Sequence, residues 1–312
     1  MSAFFEAIAE IFTSASTYVN AALFAGLLIM AASGEWVAER AGTINISIEA
    51  MLLSGAFTSA VGFHLTCSVI VALFAGIVGG MAVASVQAEM SHRLSADQFV
   101  VGLTLNILLL GLVSFLDRVV ETSTAAASTW DVPLLSDLPL VGQALFGQPW
   151  PFYLIYVLVP VSWWLLFRTR WGLEVRAAGE DPQSADVSGI DVNRLRRQTI
   201  YYAGLTAGLG GAYLVFVQVG RFDPGIVAGR GFIAIAAVIF GGWTLRGTVA
   251  GCVVFATALS FRLSLQVLGF DQVNSEFLQA LPFLVTIFGM ALFATRVRPP
   301  AALARPFIRG LK

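Results

Sequence analysis

Gly42-Thr43-Ile44-Asn45-Ile46-Ser47-Ile48-Glu49-Ala50-Met51 sets an amide, a hydroxyl and a carboxylate into a chain that is otherwise overwhelmingly apolar. An ionisable group inside a bilayer is costly unless it faces protein or a watery cavity, so Glu49 marks a candidate pathway. In a regular helix Asn45 and Glu49, at i and i+4, share a face while Ser47 points away. The three share one side only where the backbone is extended or broken. Two roles stay open for them: solute contact, or a structural cluster that satisfies helix ends around Gly42.

The flanking sequence decides the medium. Of 312 residues 57% are hydrophobic and 12% charged, more apolar material than one soluble core of this size can hide. Apolar runs near the length of about 20 residues needed for a spanning helix recur along the chain. They predict helices at 18–36, 46–63, 65–86, 98–116, 152–169, 199–219, a short 231–243, 247–266 and 278–296. The expected fold is therefore an all-α, polytopic integral membrane bundle of about eight or nine spanning or partly spanning helices, forming one domain over 1–312. Met1–Thr17 carries Glu6 and Glu10 and no Lys or Arg, so it lacks the positive start of a cleaved signal peptide. The formal charge of −1, with basic residues in short clusters at segment ends, argues against nucleic acid.

Those clusters orient the chain. Arg168, Arg170, Arg176, Arg194, Arg196 and Arg197, and the tail with Arg296, Arg298, Arg305, Arg309 and Lys312, are expected in the cytoplasm. Loops 37–45, 87–97 and 244–246 then fall inside; 117–151, 220–230 and the N-terminus fall outside. The long external 117–151 connection carries Pro133, Pro139, Pro149 and Pro151, with Trp130, Trp150 and Tyr153 suited to a membrane surface. Pro160 and Pro282 interrupt predicted helices. Gly76-x-x-x-Gly80, Gly204-x-x-x-Gly208 and Gly247-x-x-x-Gly251 offer faces for close packing within the bundle.

Sliding the chain on itself lays Asn45–Phe57 over Gly231–Trp243, with Ala50 on Ala236 and Gly55 on Gly241. Each stretch follows a spanning helix and a Gly-containing linker. The orientation makes the helices before them run in opposite directions, so the two weakly related halves are expected to be inverted.

No catalytic constellation appears. His64 and His92 have no partnered Ser or Cys nearby, Cys67 and Cys252 sit in apolar segments, and no metal-ligand cluster is evident. The single lysine, Lys312, cannot complete a phosphate-binding Gly-x-x-x-x-Gly-Lys-Ser/Thr loop, so any nucleotide hydrolysis would have to come from another subunit. Thr104 and Asn106 are further pathway candidates, or interhelical hydrogen-bonding groups. Phe99 and Phe222 could stack on a base or sugar ring, against a background of 24 phenylalanines.

The cytoplasmic segment 170–197 is the second informative place. Glu174 to Ala178 forms a short amphipathic turn and Gly179 permits a stop. Asp181-Pro182 offers an N-cap and a first-turn proline for a helix at about 182–188, which ends at Gly189. Such a knuckle exceeds what a tether requires. The pattern through Gly172, Arg176, Gly179, Glu180, Pro182, Gly189 and Ile190 resembles the coupling loop of bacterial ABC importer permeases, in the branch that includes ribose and branched-chain amino-acid systems. Glu39 to Glu49, Ala96-Asp97-Gln98 and Gly229 to Gly242 resemble the nucleoside and simple-sugar permeases of that branch, over roughly residues 20–296. Asp186 departs from the alanine or threonine frequent there.

The resemblance implies a permease in the bacterial inner membrane, paired with a second permease (a related chain or itself) and docked on two ATPases that use ATP and Mg. An extracytoplasmic solute-binding lipoprotein feeds it, and this chain binds no cofactor. Glu174, Arg176, Gly179, Glu180, Asp181, Pro182 and Gly189 become the coupling residues; Asn45, Ser47, Glu49, Phe99, Thr104, Asn106 and Phe222 are the pathway candidates. The expected function is ATP-driven import of nucleosides or related simple sugars. An ion-coupled secondary transporter acting without an ATPase is the alternative, with Glu49 as its proton or cation site. A membrane scaffold or receptor is a third reading, disfavoured by the buried polar groups.

Overall fold

Among the described residues of the computed structural model, seven helices are long and apolar enough to cross a membrane. The structure describes residues 13–133, 135–136, 138, 142–267, 284 and 298–308. The predicted helix 278–296 with Pro282, and Glu6, Glu10, Arg296, Arg309 and Lys312, lie outside the described residues.

The order is α1 (Ala15–Arg40), α2 (Ile48–Thr66), α3 (Val69–His92), α4 (Gln98–Leu116), β1 (Thr129–Asp131), α5 (Gly142–Phe146), β2 (Gly147–Pro149), a 3-10 turn at Trp150–Tyr153, α6 (Leu154–Arg168), α7 (Arg170–Glu180), α8 (Pro182–Val187), α9 (Val192–Tyr213) with a π-helical extension Leu214–Val219, α10 (Arg230–Phe240) and α11 (Leu245–Val267). β1 and β2 form an antiparallel pair with Trp130 opposite Gln148, so the 117–151 connection carries local structure of its own.

Several boundaries differ from the sequence expectation. α1 continues past residue 36 to Arg40, so Glu39 and Arg40 belong to a helix and not to a loop. It stops because Gly42, at φ +84°, takes the left-handed conformation. Gly42 N–H then reaches the Glu39 carbonyl at 2.9 Å and Thr43 N–H reaches that of Ala38 at 3.2 Å, which satisfies two terminal acceptors. The expected 174–178 turn is a full helix, Arg170–Glu180.

α1 and α9 are the most buried spans and α4 and α6 the most peripheral. Hydrophobicity cannot choose partners in lipid, so close packing and interhelical hydrogen bonds must. Glycine supplies the approach: a Cβ on Gly208 would meet the backbone of Gly76 and Gly80, and one on Gly55 would stand 2.7 Å from the Gly208 Cα. Ser54 Oγ donates to the Gly79 carbonyl at 3.0 Å and Thr58 Oγ1 to that of Ala75 at 2.9 Å, stitching α2 to α3. Gly247 and Gly251 of α11 sit against Gly241 and Ala237 at the end of α10. All three four-residue glycine spacings thus pack within the chain.

Contacts sort the loops to two ends. Thr43 meets His92, Arg197 pairs with Glu89 at 2.8 Å, and 298–308 lies on α7 and α9, which gathers the arginine-bearing segments at one end. At the other, Thr124 Oγ1 donates to the Gly220 carbonyl and His64 faces Glu121 at 3.7 Å.

Candidate translocation site

The backbone is broken where the opening stretch enters α2. Residues 43–47 are irregular and Ile48 is the first helical residue, so Asn45, Ser47 and Glu49 do not follow one helical face. Asn45 and Ser47 are fully buried. Ser47 Oγ donates to Asn45 Oδ1 at 2.7 Å, and Asn45 N–H donates to Glu35 Oε1 at 3.0 Å. Ile44 N–H is held by Gln98 Oε1 at 2.9 Å. Asn106 clamps the break from α4: its Nδ2 donates to the Ile46 carbonyl and its Oδ1 accepts from Ala50 N–H, both at 2.9 Å. A helix start inside a membrane leaves unpaired backbone groups, and these side chains satisfy them.

Glu49 turns the other way. Its Oε1 accepts from Gly229 N–H and its Oε2 from Gly231 N–H, both at 2.7 Å. Those amides belong to the N-cap and the second residue of α10, whose entry requires the left-handed Gly229 at φ +82°. A carboxylate at a helix N-terminus is favoured by the exposed N–H groups and the dipole together. The two stretches that the internal comparison laid over one another therefore touch at their starts.

Around this contact is a cleft of about 410 Å³, lined by Glu49, Ala50, Leu53, Asn106, Pro224 and Phe232 among others. One carboxylate, one amide, backbone at Gly225 and Gly229, and an aromatic ring in an apolar wall form the kind of mixed lining that holds a small polar solute. Leu103, Ile107 and Phe232 are exposed along it, so it opens on the flank of the chain.

The other predicted pathway residues fall elsewhere. Phe99 is exposed in the first turn of α4, which Asp97 caps. Thr104 is exposed and its hydroxyl returns to the Val100 carbonyl at 2.7 Å. Phe222 packs edge-on against Phe57 at 5.5 Å. None of the three lines the cleft.

In the 170–197 segment, Asp181 accepts from the Gln183 and Ser184 N–H groups, both at 3.1 Å, and from the Ser184 hydroxyl at 2.5 Å. That hydroxyl, with the two amides, holds the Asp181 carboxyl below its usual range. Pro182 occupies the first position of α8, and Gly189 at φ +89° ends it. Gly179 is buried against the Arg40 carbonyl, and Arg176 lies over the Phe167 ring at 4.9 Å. Glu174 is half-buried and Glu180 is exposed.

The sequence reading passed over a second polar cluster. Glu35 and Glu39, one turn apart on α1, are both buried; Glu39 accepts from Trp243 Nε1, and Trp36 Nε1 donates to the Trp243 carbonyl at 2.8 Å. Arg196 in α9 is buried as well. The spacing Glu35-Trp36-x-x-Glu39 at the end of an apolar run was the available signal.

The chain is thus a polytopic helical bundle with a mixed polar cleft between helix starts and a helical knuckle at one end, and its relatives are membrane permeases. The chain belongs to the family described as branched-chain amino acid transport system / permease component, which matches residues 17–290. It is 33% identical over 306 residues to the nucleoside ABC transporter permease protein NupC of Lactococcus lactis subsp. cremoris, covering 93% of this chain and 96% of that one. It is 30% identical over 307 residues to the guanosine ABC transporter permease protein NupQ of Bacillus subtilis, with 92% and 95% covered. To the ribose import permease protein RbsC of Escherichia coli it is 26% identical over 277 residues, with 87% and 82% covered.

Proposed function

We propose that this chain is the membrane-spanning subunit of an ATP-binding-cassette importer that moves nucleosides or related simple sugars across the bacterial inner membrane. The observation that carries the reading is the Glu49–Asn106 cleft beside the first amides of α10. Both Glu49 oxygens keep lone pairs beyond those used by Gly229 and Gly231, so a ribose hydroxyl can donate to them. Phe232 offers a ring face for a base or sugar. The kinship to nucleoside permeases supports the same class of solute.

Asn45 and Ser47 act behind this surface by holding the broken start of α2. Phe99 and Thr104 serve the pathway only where a second permease brings its own wall to the exposed side of α4, and Phe222 serves it by holding the 220–230 connection against Phe57. The complex has two permeases, this chain with itself or a related one, and two ATPases that use ATP and Mg. An extracytoplasmic solute-binding lipoprotein delivers solute at the 117–151 end. Glu174, Arg176, Gly179, Glu180, Asp181, Pro182 and Gly189 form the coupling surface, in the cytoplasm with the C-terminus, while the N-terminus lies outside. The chain acts as one permease domain whose two halves are inverted, and ATP-driven closure pushes on α7 and α8 so that the halves rock about the cleft. A stand-alone carrier has no evident use for that knuckle.

Proteoliposomes holding this chain, its partner permease, the ATPases and the binding protein test the reading. Labelled uridine or ribose is expected to accumulate only with ATP, and uptake indifferent to ATP would sink it.

A further inference from the structure

Four segments distant in sequence meet beneath the entrance to α2. Gly179, near the end of α7, is pressed on the Arg40 carbonyl so closely that no side chain fits there. The strap 298–308 crosses this junction. Ala302 N–H donates to the Gly179 carbonyl at 2.9 Å and Ala304 N–H to the Gly42 carbonyl at 3.1 Å. Asn193 Nδ2 reaches the Phe307 carbonyl at 3.4 Å. Arg196 stands at the centre, fully buried, donating Nε to the Ala41 carbonyl at 3.0 Å and Nη1 to the Arg305 carbonyl at 2.7 Å. A Cβ on Gly42 would stand 2.8 Å from Arg196 Nη2 and 3.0 Å from the Ala302 carbonyl oxygen.

A buried guanidinium is costly, and here neutral carbonyls, with no carboxylate in ion-pair contact among the described residues, receive it. What its planar fork does supply is geometry: two fixed donors that set the chain at Ala41 and the strap at Arg305 in one register. From Gly42 onward the chain has little slack. Ile44 is pinned to Gln98, Asn45 to Glu35, and Ile46 to Asn106, up to the first turn of α2 where Glu49 lines the cleft. Each residue from Gly42 to Ile46 is thus held by a hydrogen bond between the Gly179 contact and the cleft.

We infer that Arg196 and the 298–308 strap are the positioning link through which movement of α7 and α8 reaches the Gly42–Ile48 entrance. The inference rests on the importer reading above and adds a part that lies outside the coupling segment itself.

The test uses the assembled complex in proteoliposomes and reads uridine molecules delivered per ATP hydrolysed, beside ATP hydrolysis alone and recovery of the complex. Arg196→Met removes both donors at similar volume; Arg196→Lys keeps the charge and one donor. Ala304→Pro leaves α9 untouched but removes the N–H to Gly42 at a residue whose φ of +60° proline cannot adopt. Arg196→Met and Ala304→Pro are expected to assemble and hydrolyse ATP within about twofold of wild type while uridine per ATP falls about tenfold, with Arg196→Lys recovering part of the loss. An unchanged ratio in assembled complexes overturns the link. So does failure of both variants to assemble, which would make the clasp a tether of the fold. Wild-type uptake that ignores ATP overturns the importer reading, and the link with it.

Discussion

Oε2 of Glu49 accepts the N–H of Gly231 at 2.7 Å, across 182 residues of sequence. The contact joins the first turn of α2 to the first turn of α10, and it is the point where both candidate pathway walls are fastened to each other. Glu49→Gln keeps one acceptor and loses the other. We expect the complex to be recovered with its stability lowered by about 1 kcal/mol and nucleoside uptake strongly reduced. Loss of the folded complex would assign Glu49 a purely structural role, and thermal unfolding beside uptake separates the two.

Gly231→Ala attacks the same contact from the opposite side. The added Cβ would lie 2.7 Å from Glu49 N and Oε2 and 2.8 Å from its Cα, so backbone has to move. The expected cost is about 1–3 kcal/mol, read as a lower unfolding temperature. A variant as stable as wild type would show that α10 swings free of α2.

Asn106→Leu keeps volume and strands the Ala50 N–H and the Ile46 carbonyl. Each unsatisfied buried group costs about 1–3 kcal/mol. Hydrogen exchange at Ala50 should rise sharply while the far end of α2 stays protected; unchanged protection at Ala50 would refute the clamp.

Trp243→Phe removes the indole donor from Glu39 and leaves the Trp36 bond to the residue 243 carbonyl in place. A loss of about 1–3 kcal/mol is expected for the stranded carboxyl. Trp36→Phe, measured beside it, should cost less in lost hydrogen bonding, because the acceptor it strands is a neutral carbonyl and not a carboxyl.

Asp181 gives the one prediction of pH. Its folded carboxyl titrates below the usual range because the Ser184 hydroxyl and two amides favour the charged form. The stabilisation is full above the unfolded value of about 3.9 and is lost as pH falls through the lower folded value. Protection of the Gln183 and Ser184 amides, corrected for intrinsic exchange, should therefore be flat from neutral pH to about 5 and drop only in stronger acid. Asp181→Ala should abolish that protection at every pH.

The spanning helices were legible because each is a long apolar run, and membrane insertion demands little else of sequence. The α8 cap was legible for a different reason: Asp181-Pro182 carries its chemistry locally, in hydrogen bonds two and three residues away. Asn45, Ser47 and Glu49 were legible as polar groups in the wrong medium, but not their division of labour. That depends on the break before Ile48 and on Gly229, which sits 180 residues from Glu49. Glu35, Glu39 and Arg196 were missed for a related reason. Glu35 and Glu39 end a hydrophobic run, where a charged side chain looks like the start of a loop, although α1 continues to Arg40; Arg196 sits among other arginines before its span, and its burial depends on Ala41 and Arg305, which are distant in sequence.

The open flank of the Glu49–Asn106 cleft bears on how the chain is made. Alone, the chain leaves the apolar wall of the cleft, Leu103, Ile107 and Phe232, open at its flank with Glu49 and Asn106 only partly covered behind it, and intramembrane polar groups are costly unless covered. If the second permease proposed above covers that flank, the cover serves the stability of each chain as much as transport, and a chain made without it would be the one cleared from the membrane.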